Sequence, residues 1–172
     1  MKTIFLMRHA KSSWDDPTLT DHDRPLNKRG LRDLPVMASW LARQSSRPDW
    51  CLSSTALRAE ATARAICQEK GLRIPCEQTT RLYHASPEEI VGVLRELPEE
   101  IAAPLIVSHN PGLEELVALW SGRPRPVPTA AIIEFQFPEL ATWPKLTLSQ
   151  HPRELVFVSP KHLPHSPNKH RP

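Results

Sequence analysis

Lys2-Thr3-Ile4-Phe5-Leu6-Met7-Arg8-His9-Ala10 stands at the start of the chain, and how it is read decides the fold. Lys2–Met7 is a mostly apolar run rich in strand formers, of the length expected for one buried strand. It stops at an arginine, always charged, and a histidine, which titrates near neutral pH. Two such costly groups at the end of a buried strand call for a compensating partner. The pattern recurs downstream. Trp50–Ser53 leads through Ser54 to Arg58 at a helix start, and Pro104–Val107 runs into Ser108-His109-Asn110 before another helix.

Between these runs the spacing turns helical. Leu34, Met37, Ala38, Leu41 and Ala42 recur at three and four residues, as do Ala59, Thr62, Ala63, Ile66 and Cys67. Pro35 reads as lying near a helix start, because an interior proline removes a donor and crowds the preceding turn. Ser86-Pro87-Glu88-Glu89 predicts a third helix, with Ser86 as cap, Pro87 at the first position and Glu89 completing a capping box. A fourth runs from Pro111 to Ser121, with Gly122 as its stop. Arg123–Pro128 reads as an extended linker. Adding Ala130–Phe135 and Leu155–Val158 gives five strands alternating with helices. That order predicts an α/β fold, a three-layer α/β/α sandwich on a mostly parallel, mixed sheet.

A length of 172 residues suits one domain, expected over 1–160, followed by a Pro/His-rich basic tail over 161–172 that reads as disordered. The tail's histidines have no spacing that would present them together to a metal. Nineteen prolines against five glycines argue against a glycine-rich phosphate loop. A net charge of +3 is spread along the chain, so no nucleic-acid partner is expected. Cys51, Cys67 and Cys76 lack CxxC spacing and imply neither a disulfide framework nor a zinc site; reduced thiols are the simplest expectation. The N-terminal apolar run is too short for a signal peptide or a membrane span, which places the protein in the cytoplasm with no membrane partner. Most of the five tryptophans are expected in the core.

In an open α/β sheet the carboxyl ends of parallel strands share one side, and ligands sit there. Arg8, His9, Arg58 and His109 are therefore expected to converge. A lone histidine at a strand end is more often structural. What shifts the balance is the pair of arginines, whose planar forks match phosphate and whose obvious local carboxylate is Glu60 alone. A phosphoryl group would supply the missing charge, and the helix starts after Ser54 and Asn110 would add N–H donors, making Asn110 a candidate binding residue. A histidine among guanidiniums stays neutral and keeps a lone pair. His9 is then expected to attack a phosphorus held by Arg8 and Arg58, forming a phosphohistidine that water cleaves, while His109 donates to a non-bridging oxygen. No metal or other cofactor is called for.

Arg8-His9-Ala10 after a strand, Ser53-Ser54 with Leu57-Arg58-Ala59 and Thr62, and Ser108-His109-Asn110-Pro111-Gly112 together resemble the histidine phosphatase superfamily, the phosphoglycerate mutase-like or RHG fold. Asp23-Arg24-Pro25-Leu26 with Arg29-Gly30, Leu82-Tyr83, Pro128-Thr129-Ala130 and Ser159-Pro160-Lys161 resemble its small SixA-type phosphohistidine phosphatases. The resemblance implies His9 as the phosphate-accepting nucleophile, Arg8, Arg58 and His109 around it, and Ser12 as a further phosphate contact. Alanine replaces the usual glycine at Ala10, which implies a negative φ there. Larger members also carry a glutamate that protonates an alcohol leaving group, and no residue here matches it. Asp21, Asp23, His84, Glu88 and Glu89 are the candidates, of which Glu88 and Glu89 read as first-turn helix acids and Asp23 as a partner of Arg24. A weak acid site fits a phosphohistidine, whose imidazole leaves easily. The expected partner is a phosphorylated protein such as a histidine phosphotransfer domain. The alternatives are a small phosphorylated metabolite with the same mechanism, or a non-catalytic phosphate-binding or interaction module.

Overall fold

The computed structural model describes residues 1–164; of the tail expected to be disordered over 161–172, residues 161–164 are described and are corrected, since Lys161 and His162 belong to a 3-10 turn, Pro160–His162, tied to Ser159, while 165–172 lie outside the described residues. The strands are β1 (Lys2–Arg8), β2 (Trp50–Ser54), β3 (Cys76–Thr79), β4 (Pro104–Ser108), β5 (Ile132–Phe137) and β6 (Arg153–Val158). They form one sheet in the order β3-β2-β4-β1-β5-β6. The first four in that order run parallel, whereas β5 pairs antiparallel with both β1 and β6. β1 and β4 lie at its centre and are buried on both faces, which is why they read as near-continuous apolar runs.

Four helices cover the two faces: α1 (Lys28–Ala42), α2 (Leu57–Cys67), α3 (Pro87–Leu94) and α4 (Gly112–Ser121). Leu34, Met37 and Leu41 of α1 and Ala63 and Ile66 of α2 pack on Phe5, Met7, Leu105 and Val107. On the other face Ile90 and Leu94 of α3 and Leu116 and Trp120 of α4 pack on Ile4, Leu6, Ile106 and Ile133. The alternation along β1 assigns even positions to one core and odd positions to the other, giving the expected sandwich. Trp120 and Trp143 are fully buried, but Trp14 is exposed with Arg24 stacked 3.5 Å over its ring.

The α3 capping box and the left-handed Gly122 at the end of α4 form as expected. Three further expectations are corrected. Pro35 is the eighth residue of α1, well inside it; Pro35 and Leu31, one turn earlier, are both exposed, so water can serve the carbonyl that the proline leaves without a partner. β3 is an additional strand that the sequence did not announce. It is short, polar and largely exposed at the sheet edge, and so shows no apolar alternation. β5 starts at Ile132 rather than Ala130, because Ala130 takes φ 61° and turns its N–H back onto the carbonyls of Arg8 and His9. That turn ties the loop before β5 to the end of β1. Gly112, at the first position of α4, lies so close to Ala85 that a Cβ there would drive into the Ala85 carbonyl.

Candidate active site

β1, β2 and β4 end side by side, with Arg8 opposite Ser108 in register. Their loops therefore deliver His9, Ser54, Arg58 and His109 to one place. His9, Arg58 and His109 are 7%, 3% and 3% exposed, and the two imidazole centroids are 5.0 Å apart. His9, Arg58 and His109 thus converge as expected.

The hydrogen bonds assign each ring's tautomer. His9 Nδ1 lies 2.8 Å from the Ala10 carbonyl, which can only accept, so Nδ1 carries the proton and Nε2 keeps its lone pair. Arg58 Nε donates to that Nε2 at 3.4 Å. Ala10 N–H is bonded to Thr62 Oγ1, and Ala10 is absent from the residues with positive φ, as expected for alanine at this position. Ser54 Oγ accepts the Ala56 N–H at 3.2 Å, leaving its own proton for His109 Nε2 at 2.8 Å. The His109 proton then sits on Nδ1, 3.4 Å from Arg58 Nη2. Two donors facing each other across that gap want an acceptor between them, and an anion's oxygen is one.

Both histidines are held neutral. Burial, foremost, and then the Arg58, Arg8 and Arg24 guanidiniums depress His9 to about 4 against the opposing pull of the Ala10 carbonyl. Burial likewise leads at His109, with charge on His9, Arg58 and His84 adding to it, and takes its pKa to about 3. The guanidinium effect expected from the sequence is thus real but second to desolvation.

The residue the sequence placed least well is Asp21, named merely as one candidate acid. It is the acceptor for the whole wall: Arg58 Nη2 at 3.0 Å, Tyr83 Oη at 2.6 Å and Arg24 Nε and Nη2 at 3.2 Å, while its backbone carbonyl accepts Arg58 Nη1. Burial pushes its carboxyl pKa up, but those donors outweigh it and hold the group well below the usual carboxylate range. Two sequence expectations are corrected here. Arg58 pairs with Asp21, not Glu60, which bonds Arg64 one helical turn on; and Arg24 pairs with Asp21, not Asp23. Arg24 also donates to Ser12 Oγ at 2.8 Å, so Ser12 is buried and joined to the site through Arg24 and Asp21.

Arg8 and Asn110 form the opposite wall. Arg8 Nη1 and Asn110 Nδ2 both donate to the Val127 carbonyl, at 3.0 and 3.1 Å, and Asn110 also donates to Glu114. Arg8 Nε and Asn110 Oδ1 are buried with no partner. At the mouth, His84 adopts φ 52° and lies 3.4 Å from Asp21 and stacked 5.9 Å from His109. The other acid candidates are elsewhere: Glu89 closes the α3 capping box, Glu88 is exposed, and Asp23 bonds Thr20. Among the described residues, the one group of three or more Cys, His, Asp or Glu side chains placed to share an ion is not here but at Cys51, Cys67 and Cys76.

Buried neutral imidazoles among guanidiniums at the carboxyl edge of an α/β sheet define a phosphoryl-handling site. The sequence profile of the histidine phosphatase superfamily, branch 1, matches residues 4–104, and the chain belongs to that superfamily; it is a phosphatase of that class. An uncharacterized protein of Mycobacterium leprae is 33% identical over 135 residues, covering 77% of this chain and 81% of that protein. Among solved structures, one assigned to phosphohistidine phosphatase SixA from Agrobacterium tumefaciens superimposes with a TM-score of 0.77 at 26% identity, covering 92% of this chain and 97% of that one. The protein histidine phosphatase SixA complexed with tungstate gives 0.75 at 27%, covering 93% and 98%.

Proposed function

We propose that this protein hydrolyses protein-bound phosphohistidine in the cytoplasm, through a covalent phosphohistidine on His9. His9 Nε2 attacks phosphorus, the bond to the departing imidazole nitrogen breaks, and water then cleaves the new N–P bond to release phosphate. Arg8, Arg58 and the His109 Nδ1–H hold the phosphoryl oxygens as charge grows on them.

The observation that carries the substrate class is the state of Asp21. The Asp21 carboxylate is committed to Arg58, Arg24 and Tyr83 and is held ionised, so it has no proton to give, and Glu114 on the other wall is taken up by Asn110 and the Val127 N–H. An alkoxide leaves badly without an acid, whereas an imidazole of pKa about 6.5 leaves with little help. The likeness to SixA structures supports the same substrate. A histidine phosphotransfer domain is the kind of partner this chemistry fits.

One observation favours a second substrate, a small phosphomonoester: the His84 imidazole stands at the mouth, 3.4 Å from Asp21, on the side from which a leaving oxygen would depart. Phosphate release from a phosphohistidine protein, from sugar phosphates and from phosphoglycerates separates the two. The proposal expects preference for the protein, insensitive to His84→Gln. Preference for the esters, lost in His84→Gln, would reject it. A chain that binds phosphate but never becomes labelled at His9 on rapid quenching would be a binding module instead.

A further inference from the structure

All three cysteines of the chain meet at one point, from three different elements. Cys51 of β2 and Cys76 of β3 are register partners on adjacent parallel strands, and Cys67 is the last residue of α2, which packs over them. The three sulfurs lie within 4.8 Å of one another. Cys51 and Cys67 are buried, while Cys76 is exposed and opens with Cys67 onto a surface cavity of about 330 Å³ that Glu60, Arg64, Gln68 and Gln78 also line.

We propose that Cys51, Cys67 and Cys76 form a three-sulfur site for a thiophilic divalent ion of the zinc class. Metal–sulfur bonds of about 2.3 Å put three sulfurs about 4 Å apart in a trigonal or flattened tetrahedral arrangement, so closing the site takes a movement of under about 1 Å. A set of thiols with no carboxylate or imidazole among them selects soft ions and disfavours magnesium or calcium. Charge then favours a divalent ion over copper(I). Three thiolates on a dication leave one net negative charge beside the Arg64–Glu60 ion pair, whose own charges cancel, whereas a monocation leaves two in a half-buried place. The exposed side of Cys76 is the entry path, and the cavity leaves a fourth position for water or the side-chain oxygen of Gln68 or Gln78. On binding, each thiol gives its proton to water and its lone pair to the ion, so up to about three protons are released per ion.

The site is distinct from the phosphate pocket. Arg58 is the second residue of α2 and Cys67 the last, so they lie about 14 Å apart along the helix at 1.5 Å per residue. What the ion would do is fasten the edge strand β3 and the end of α2 to β2. Since the folded chain already gathers the three sulfurs and so binds the ion more tightly than the unfolded one, the ion raises the melting temperature.

The test uses the whole chain, fully reduced and stripped with a chelator, given one equivalent of zinc(II) or cadmium(II) and passed through gel filtration. The expected result is about one ion retained per chain, a thiolate-to-cadmium charge-transfer band and a raised Tm. Cys76→Ser keeps both buried sulfurs and its side chain is exposed, so it folds. Its affinity should fall at least about 100-fold, since even residues behind a ligand cost 10- to 100-fold. The variant keeps all eight histidines, so ion retention equal to wild type would assign the binding to imidazoles and overturn the proposal. Loss of the ion from wild type on the column would overturn it equally.

Discussion

The two walls of the phosphate pocket are built to opposite standards. On the Arg58 wall the carboxylate, guanidiniums and hydroxyls are paired with one another before any ligand arrives, through a chain running from Ser12 through Arg24 and Asp21 to Arg58 and Tyr83, and the His109 Nδ1–H beside Arg58 is what still wants an acceptor. On the Arg8 wall two buried polar atoms, Arg8 Nε and Asn110 Oδ1, are left unmatched. A buried donor without an acceptor costs about 1–3 kcal/mol, and an arriving oxyanion returns that at Arg8. One wall fixes geometry in advance; the other stores a deficit that binding relieves.

Both walls serve His9, so its loss sets the upper limit. His9→Ala should lower kcat by about 1,000-fold or more and abolish labelling on rapid quenching. Residual turnover near wild type would mean that another group accepts the phosphoryl.

The sharpest contrast is between the arginines. Arg8→Gln and Arg58→Gln should each cost about 100- to 1,000-fold in kcat/KM, as expected for an oxyanion donor. In the absence of ligand they should part company. Arg58→Gln loses about 1–3 kcal/mol of unfolding free energy, as its charged hydrogen bonds to Asp21 go. Arg8→Gln gives up its bond to the Val127 carbonyl, which Asn110 still serves, and removes the unmatched Nε, so it should cost less than about 1 kcal/mol. Equal destabilisation in urea would erase the distinction between the walls.

Acid reports on the histidines between them. Held at about 4 and about 3 in the folded chain against 6.5, His9 and His109 stay unprotonated where the unfolded chain takes up protons. Stability is thus level above about pH 7 and falls as pH drops from 6.5 toward 4, by on the order of 3 kcal/mol for His9. Depressed Asp21 contributes stability above the carboxylate range that is lost at still lower pH. The acid limb of kcat/KM, which reports the free enzyme, should lie near pH 4 rather than 6.5.

The smallest effect is expected at Tyr83. Removing one of several donors to Asp21, Tyr83→Phe should lower kcat/KM by about two- to five-fold, with Arg58 still in place. A loss as large as that of Arg58→Gln would show that Tyr83 itself meets the substrate.

Most of this wall structure is local chemistry at strand ends, and so was legible. Arg8, His9, Arg58 and His109 stand at positions where a strand's apolar run breaks, and the fold brings such breaks together. Asp21 was not legible in the same way. It sits in a polar loop among Asp15, Asp16 and Asp23, and its partners Arg58 and Tyr83 lie 37 and 62 residues on. The single tyrosine of the chain was a usable signal, since a lone phenol near a motif must find an acceptor. The thiol cluster was hidden for a related reason: its spacing reflects a strand, a helix end and an edge strand, and β3 is too short and polar to have been foreseen.

Gly112 stands three residues beyond His109, and Ala85 two beyond Tyr83, and they touch backbone to backbone. No side chain lies between the two segments to be trimmed, so the mouth cannot be widened there by substitution. Attempts to retool this enzyme for bulkier phosphorylated compounds should leave that seam alone and vary side chains that can be replaced: exposed Trp14, stacked on Arg24, and His22, a partly exposed ring set edge-on 4.9 Å from Tyr83.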